Sequence, residues 1–467
     1  MNQSRVRFPT IIFCIFLSVV AALGQTTAPA TAKSTTAPAT GKAPIIIIPG
    51  LTGSNLVNSK TNEEVWYNSH RSREDDIRLP ISGSIAQNRD NLVTTDILRS
   101  VKFLKFLPET EIYERLIDAL QTRGGYHEAK WSTSTRADAK DTFYVFPYDW
   151  RRDNVENARL LIKRIETLKR RIGEPNLKFN VIAHSMGGLI ARYAAMYGNA
   201  DLPSGTPQPT WAGSKHFGKI FLLGTPNEGS IVSLDALING FSYIGGGVNL
   251  PFVQNITRFD VFTIPSAYQL LPHNDSFVAY DENLKPIPID IFDPAEWEKY
   301  NWAVWTDDAF TKKFDANEQR YAKPFFLAAL ARAKQFQLAL DATSNGQPPV
   351  LFYLFGADCK DTPTGMLLLR DEKKNRWETH FKADGFTRSN GEKVKDTDLK
   401  PLLFGVGDSV VTKSSLSAAR LKNASKAPFQ ITAELYQCVD HNKLATSPEV
   451  QDKLFAFLNP AAPVAAP

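Results

Sequence analysis

Lys178-Phe-Asn-Val-Ile-Ala-His-Ser-Met-Gly-Gly-Leu-Ile-Ala-Arg-Tyr193 reads as a buried strand, a tight turn and a helix. Phe179, Val181, Ile182 and Ala183 form a short apolar run of strand type. Gly187 and Gly188 follow at once, and Leu189, Ile190, Ala194 and Met196 then recur at helical spacing. A strand that turns sharply into a helix around Ser185 lifts the serine hydroxyl off the carboxyl edge of a sheet. The helix that starts there points the positive end of its dipole at the place where an oxyanion forms. Small residues flank such a serine because the two backbones crowd together. The usual pattern opens with glycine, and here Ala183, the next smallest residue, stands in that place. The competing reading is an ordinary strand-to-helix turn whose serine caps the helix.

Outward from this turn the chain alternates strands and helices. Ile45–Ile48, Phe143–Phe146, Lys219–Leu223, Val350–Phe355 and Phe429–Leu435 read as strands, and Asn154–Ile172 and Pro448–Leu458 as helices. The alternation predicts a mostly parallel sheet with helices on both faces. With the serine turn, the fold class is α/β, an α/β-hydrolase with a large cap insertion. The domain is expected over residues 43–460, with a flexible tail at 461–467. Two aromatic- and proline-rich excursions interrupt it, a lid or membrane-contact segment at 55–135 and a cap at 230–345 that includes a helix near Phe325–Leu340. Segments of this length usually have a function.

Residues 1–24 have the layout of a secretory signal. Arg5 and Arg7 precede the apolar Ile11–Leu23, and Ala22-Leu-Gly24 offers small residues for cleavage. An uncleaved anchor is the alternative, and the apolar run is short for a membrane span. Residues 25–42, rich in Thr, Ala and Pro, repeat Thr-Thr-Ala-Pro-Ala-Thr and are expected to be a disordered tether. The protein is therefore expected to be exported: secreted, periplasmic or at the cell surface. Of three cysteines, Cys359 and Cys438 lie in the folded part. A bridge between them and two separate thiols both fit the spacing. The 467-residue chain has a net charge of +5 and no basic run, so nucleic acid is not an expected partner.

A serine nucleophile needs a histidine and an acid, which in this fold follow it in the order acid then histidine. Gly405-Val-Gly-Asp408 sits in a glycine-rich turn, and Asp440-His441 lies in the loop after the last strand. Histidine takes and returns a proton near neutrality, and the acid orients its ring. Ser185, Asp408 and His441 are the candidate catalytic residues. Asp358 and Asp440 are rival acids. Of the seven histidines, His184 adjoins the serine but is expected to point away from it. The oxyanion hole is assigned to the N–H groups of Leu51 and Met186, with Thr52 as the neighbour alternative to Leu51.

Pro49-Gly-Leu-Thr-Gly-Ser-Asn-Leu56, Pro147-Tyr-Asp-Trp-Arg-Arg152, Ala183-His-Ser-Met-Gly-Gly188, Gly224-Thr-Pro-Asn-Glu-Gly-Ser230, Gly407-Asp-Ser-Val-Val411 and Asp440-His441 resemble the lecithin:cholesterol acyltransferase family, which includes lysosomal phospholipase and the phospholipid:diacylglycerol acyltransferases. The resemblance implies the same triad, no metal and no cofactor, a lipid ester substrate and transient contact with a membrane or lipid surface. It implies that Asp149 and Arg151 are structural, pairing to hold the sheet's edge beside the active site. The acid loop reads Asp-Ser-Val-Val where the family usually has threonine. The cysteines of the animal enzymes' membrane loop are missing, and Trp66-Tyr67 are expected to supply an aromatic contact instead. The expected function is that of a secreted serine acyl-enzyme of lipid metabolism, passing an acyl group to an alcohol or to water. An esterase of soluble or polymeric non-lipid esters is the alternative, and an idle lipid-binding protein a further one. The acyl donor, the acceptor and the oligomeric state are left open by the sequence.

Overall fold

The computed structural model describes residues 41–68, 77–101, 110–241, 256–343, 349–419 and 428–459. The signal segment, the tether up to residue 40, the tail, and Tyr243, Gly245–Gly247 and Phe252 of the expected cap lie outside them.

The core is a sheet of seven strands: β1 Ile45–Ile48, β2 His127–Glu128, β3 Thr142–Val145, β4 Phe179–His184, β5 Phe217–Leu223, β6 Leu351–Gly356 and β7 Ile431–Tyr436. The order across the sheet is β7-β6-β5-β4-β1-β3-β2, and every pair is parallel. The register sets Ile47 of β1 between Val145 and Ile182. The four isoleucines of β1 are at most 1% exposed, as a parallel sheet buried on both faces requires.

Helices α1 Glu114–Thr122, α2 Asn154–Ile172, α3 Met186–Tyr197, α4 Ile231–Asn239, α5 Ala316–Asp341 and α6 Pro448–Leu458 accompany the sheet. The start and end of α2 follow from local chemistry. The Asp153 carboxylate accepts from the N–H groups of Val155 and Glu156, and Gly173 closes the helix at φ +74°. Helix α5 runs through Pro324 and lies on α3, where Tyr193 stacks on Phe336 and the Tyr197 hydroxyl donates to the Ala339 carbonyl. Helix α6 returns to the sheet through Phe457, whose ring meets Tyr353 of β6. The fold is that of the α/β-hydrolases.

The excursions are more connected than the sequence suggests. Strand β2 and a four-stranded sheet were not apparent from patterning. In that sheet Gly365–Asp371 pairs with Arg376–His380 and with Val278–Tyr280. It ties the 230–345 cap to a third excursion between β6 and β7. The cap aromatics Phe259, Phe262, Tyr268, Trp297 and Trp302 are all under 8% exposed and meet one another or neighbouring rings edge to face. They form the cap's own core. Trp66 departs from expectation. It is fully buried, its indole N–H donates to the Thr52 carbonyl and its ring meets Trp150. It braces the loop after β1 and is not available to a lipid surface. Among the described residues no helix is long and apolar enough to cross a membrane.

Candidate active site

Strand β4 ends at His184, and α3 begins at Met186. Between them Ser185 takes φ +53° and ψ −128°, a conformation rarely open to a residue with a side chain. Its N–H donates to the Leu223 carbonyl of β5 at 2.8 Å, and its carbonyl accepts from Gly188 at 2.9 Å. The glycines are there for space. A Cβ on Gly50 would fall 2.8 Å from the Ser185 Cβ, one on Gly187 would run into the Pro49 carbonyl, and one on Gly188 into Thr225. Ala183 sits in register with Ile48 and Leu222 and is fully buried, so its methyl is accommodated within the sheet.

Asp408 follows the short strand Phe404–Gly407, which pairs with Lys360–Pro363. Its Oδ1 accepts from the N–H groups of Val410 and Val411, and its Oδ2 meets His441 Nδ1 at 2.8 Å. The two loops are also joined through the backbone, His441 N–H donating to the Asp408 carbonyl at 2.8 Å. The pair lies against the end of β5. A Cβ on Gly224 would fall 2.9 Å from both Asp408 Oδ2 and His441 Nδ1. Leu223 holds the Ser185 backbone and Gly224, next to it, makes room for the acid–histidine pair. The rival acids are engaged elsewhere. Asp358 pairs with Lys413 at 2.9 Å, and Asp440 faces Lys360 and Lys443 at 3.6 Å each.

The loop after β1 is held from several directions. Gly50 N–H donates to the Tyr113 hydroxyl oxygen at 2.9 Å, and the Tyr148 hydroxyl donates to the Pro49 carbonyl at 2.8 Å. The Trp150 indole N–H donates to the Ser54 carbonyl, and Thr52 takes φ +61°. Among the described residues no acceptor takes the N–H of Leu51 or of Met186, which leaves both donors available. Asp149 and Arg151 pair at 2.8 Å, and Arg151, fully buried, also bonds Asp90 and the Ile77 carbonyl. Sequence reasoning named these two residues but missed their neighbours Tyr148 and Trp150, which brace the loop, and Asp90, the distant partner. It also missed Tyr113, for which no local pattern gives a signal.

The imidazole of His184 is buried. Its Nδ1 lies 2.9 Å from the Tyr113 hydroxyl and its Nε2 lies 3.0 Å from the His441 carbonyl oxygen. Burial, then the facing His441 ring, lowers its pKa to about 3. It is a neutral ring at physiological pH. Among the described residues no cluster of His, Cys, Asp or Glu has the arrangement of a metal site.

Residues 98–323 match the family described as lecithin:cholesterol acyltransferase. The chain resembles the lecithin:cholesterol acyltransferase family. Ser185 falls inside the matched segment, and Asp408 and His441 lie beyond it. The match supports a lipid-ester hydrolase or acyltransferase. No curated protein matches the chain. Among solved structures, the Tle4–Tli4 complex aligns over 89% of this chain and 98% of that one, at 14% identity and a TM-score of 0.52. The Bacillus licheniformis lipase BlEst2 in mature form aligns over 90% of this chain and 94% of its own, at 11% identity and a TM-score of 0.31. At 14% identity the first likeness is one of fold.

Proposed function

We propose that the protein transfers acyl groups from lipid esters through an acyl-Ser185 intermediate. The observation that carries the reading is the seating of the Asp408–His441 pair on Gly224, beside the residue that holds the Ser185 backbone. His441 Nε2 takes the Ser185 proton as the hydroxyl oxygen attacks the ester carbonyl. The tetrahedral oxyanion is received by the N–H groups of Leu51 and Met186, with the α3 dipole behind them. Collapse expels the alcohol, which takes the proton back from His441, and leaves the acyl group on Ser185. Water or a second alcohol then attacks, activated by the same histidine. Asp408 holds the ring in the needed tautomer. Water makes the enzyme a lipase or phospholipase, and an alcohol makes it an acyltransferase.

Export is part of the reading. It is supported by the signal-like layout of residues 1–24 and by the Cys359–Cys438 disulfide, a bond that persists in oxidising compartments.

The test is incubation with vesicles of mixed phospholipid and neutral lipid, with mass spectrometry of the products for the wild type and Ser185→Ala. The variant is expected to keep the wild-type melting temperature and to lose activity by roughly three to six orders of magnitude. Free fatty acid alone marks a hydrolase, and new acyl esters mark a transferase. Retention of more than about a tenth of wild-type turnover in Ser185→Ala overturns the nucleophile assignment.

A further inference from the structure

The buried imidazole next to the nucleophile joins two loops that sequence alone does not connect. The His441 carbonyl can only accept, so His184 Nε2 carries the proton and donates to it at 3.0 Å. A neutral ring then has a bare Nδ1, which accepts from the Tyr113 hydroxyl at 2.9 Å. That hydroxyl in turn accepts from Gly50 N–H at 2.9 Å. Three hydrogen bonds therefore run in one direction, from Gly50 through Tyr113 and His184 to the backbone of His441. Gly50 immediately precedes Leu51, the proposed oxyanion donor, and His441 is the proposed base. Tyr113 is 2% exposed and is the residue from which α1 starts, so the chain is anchored in the core.

We propose that Tyr113 and His184 are positioning residues that fix the separation between the oxyanion donor and the base on either side of Ser185, through the Gly50–Tyr113–His184–His441 hydrogen-bond chain. The inference rests on the acyl-serine reading above. It adds that the base's backbone, beyond its acid partner, must be held for the chemistry to proceed. A histidine that is merely a satisfied core residue would influence stability and nothing else. A residue that sets the relative placement of base and oxyanion donor acts on the bond-forming step, because displacing a reacting group by about 1 Å costs on the order of a hundredfold in rate.

The experiment measures covalent labelling by a fluorophosphonate probe, with the maximal labelling rate separated from the probe's dissociation constant. Tyr113→Phe, which removes one oxygen atom, is expected to slow the maximal rate about tenfold. His184→Leu is expected to slow it about a hundredfold. Both variants are expected to keep the probe's dissociation constant within about threefold, since ground-state binding is untouched. His184→Gln, which restores an N–H donor in place of Nε2, is expected to recover about a tenfold part of the His184→Leu loss. The double variant Tyr113→Phe/His184→Leu is expected to be no slower than His184→Leu, because both act through one chain. Tyr113→Phe preserves the core's shape, so it decides the matter even if His184→Leu fails to fold. Wild-type labelling at Ser185 with an unchanged rate in Tyr113→Phe overturns this inference alone. Slowing that merely tracks a lowered melting temperature overturns it too. A wild type that takes no label at Ser185 overturns the acyl-serine reading and this inference with it.

Discussion

Asp408 uses both carboxylate oxygens: Oδ2 meets His441, and Oδ1 accepts from the backbone of Val410 and Val411. An amide in its place would keep the shape, but its NH₂ group would face a donor on one side or the other. Asp408→Asn is therefore expected to lower ester turnover by about four orders of magnitude, the scale of such a change in a triad. Asp358→Asn and Asp440→Asn, whose partners are lysines, are expected to stay within about threefold, as solvent-facing pairs contribute little. Turnover on a soluble chromogenic ester ranks the three, and a worst result at Asp358 would displace Asp408 from the triad.

A second residue-scale expectation concerns acid. His216 is 3% exposed just before β5, with the Lys169 ammonium 3.3 Å from its Nδ1 and the Glu166 carboxylate 3.6 Å from its Nε2. Burial, then Lys169 and Lys215, lower its pKa to about 4. The unfolded chain, with an ordinary imidazole, binds the proton first as the pH falls. The stability is fully present above about pH 6.5 and is lost progressively as the pH falls toward 4. Between pH 7 and pH 5 this one group accounts for about 2 kcal/mol. Urea unfolding at the two pH values is expected to show a smaller difference in His216→Gln than in the wild type. An identical difference in both proteins refutes the attribution.

At the scale of elements, the loop after β7 carries the proposed base and is fastened on two sides. His184 at the end of β4 holds the His441 carbonyl. Cys438, three residues ahead of His441, is bridged to Cys359 after β6 across 79 residues. In the chain-entropy account, closing a loop of that length contributes about 4.5 kcal/mol by constraining the unfolded chain. Cys359→Ser/Cys438→Ser is expected to lose about that much in urea unfolding. It is also expected to lose turnover at temperatures where the fold is still intact, because the histidine loop has lost one of its ties. Full activity with lowered stability would separate the disulfide from the site.

At the scale of the whole molecule, we expect the excursions around the proposed site to select the substrate. A long acyl chain needs an apolar trough beside Ser185, since each buried methylene contributes about 0.8 kcal/mol. Most of the described cap aromatics are taken up in the cap's own core. Phe241, Phe277, Phe292 and Trp305 are among the described cap rings that are only partly buried. We expect specificity constants to rise with chain length from acetyl to palmitoyl esters. The rise should weaken when residues 240–262 are replaced by a flexible linker. Equal constants for acetyl and palmitoyl esters in the wild type would favour the soluble-ester alternative. A preserved preference in the variant would locate the trough in the 55–135 excursion.

Local sequence was enough wherever the decisive contacts lie within a few residues. The apolar run and glycines around Ser185, the bounds of α2 set by Asp153 and Gly173, and the glycine-rich turn at Asp408 all depend on propensity and steric crowding that neighbours impose. Chain order then led to His441, because in this sheet topology acid and histidine follow the nucleophile. Tertiary structure alone decided what depends on distant partners. That Trp66 faces inward to Thr52 and Trp150 reflects burial, which the dipeptide Trp66-Tyr67 does not encode. That Arg151 reaches Asp90, that Cys359 meets Cys438, and that Tyr113 ends on His184 are matters of register and packing across 61, 79 and 71 positions. Hydrogen bonds at such separations carry no periodicity along the chain. They exist only once the sheet has brought its carboxyl edge together.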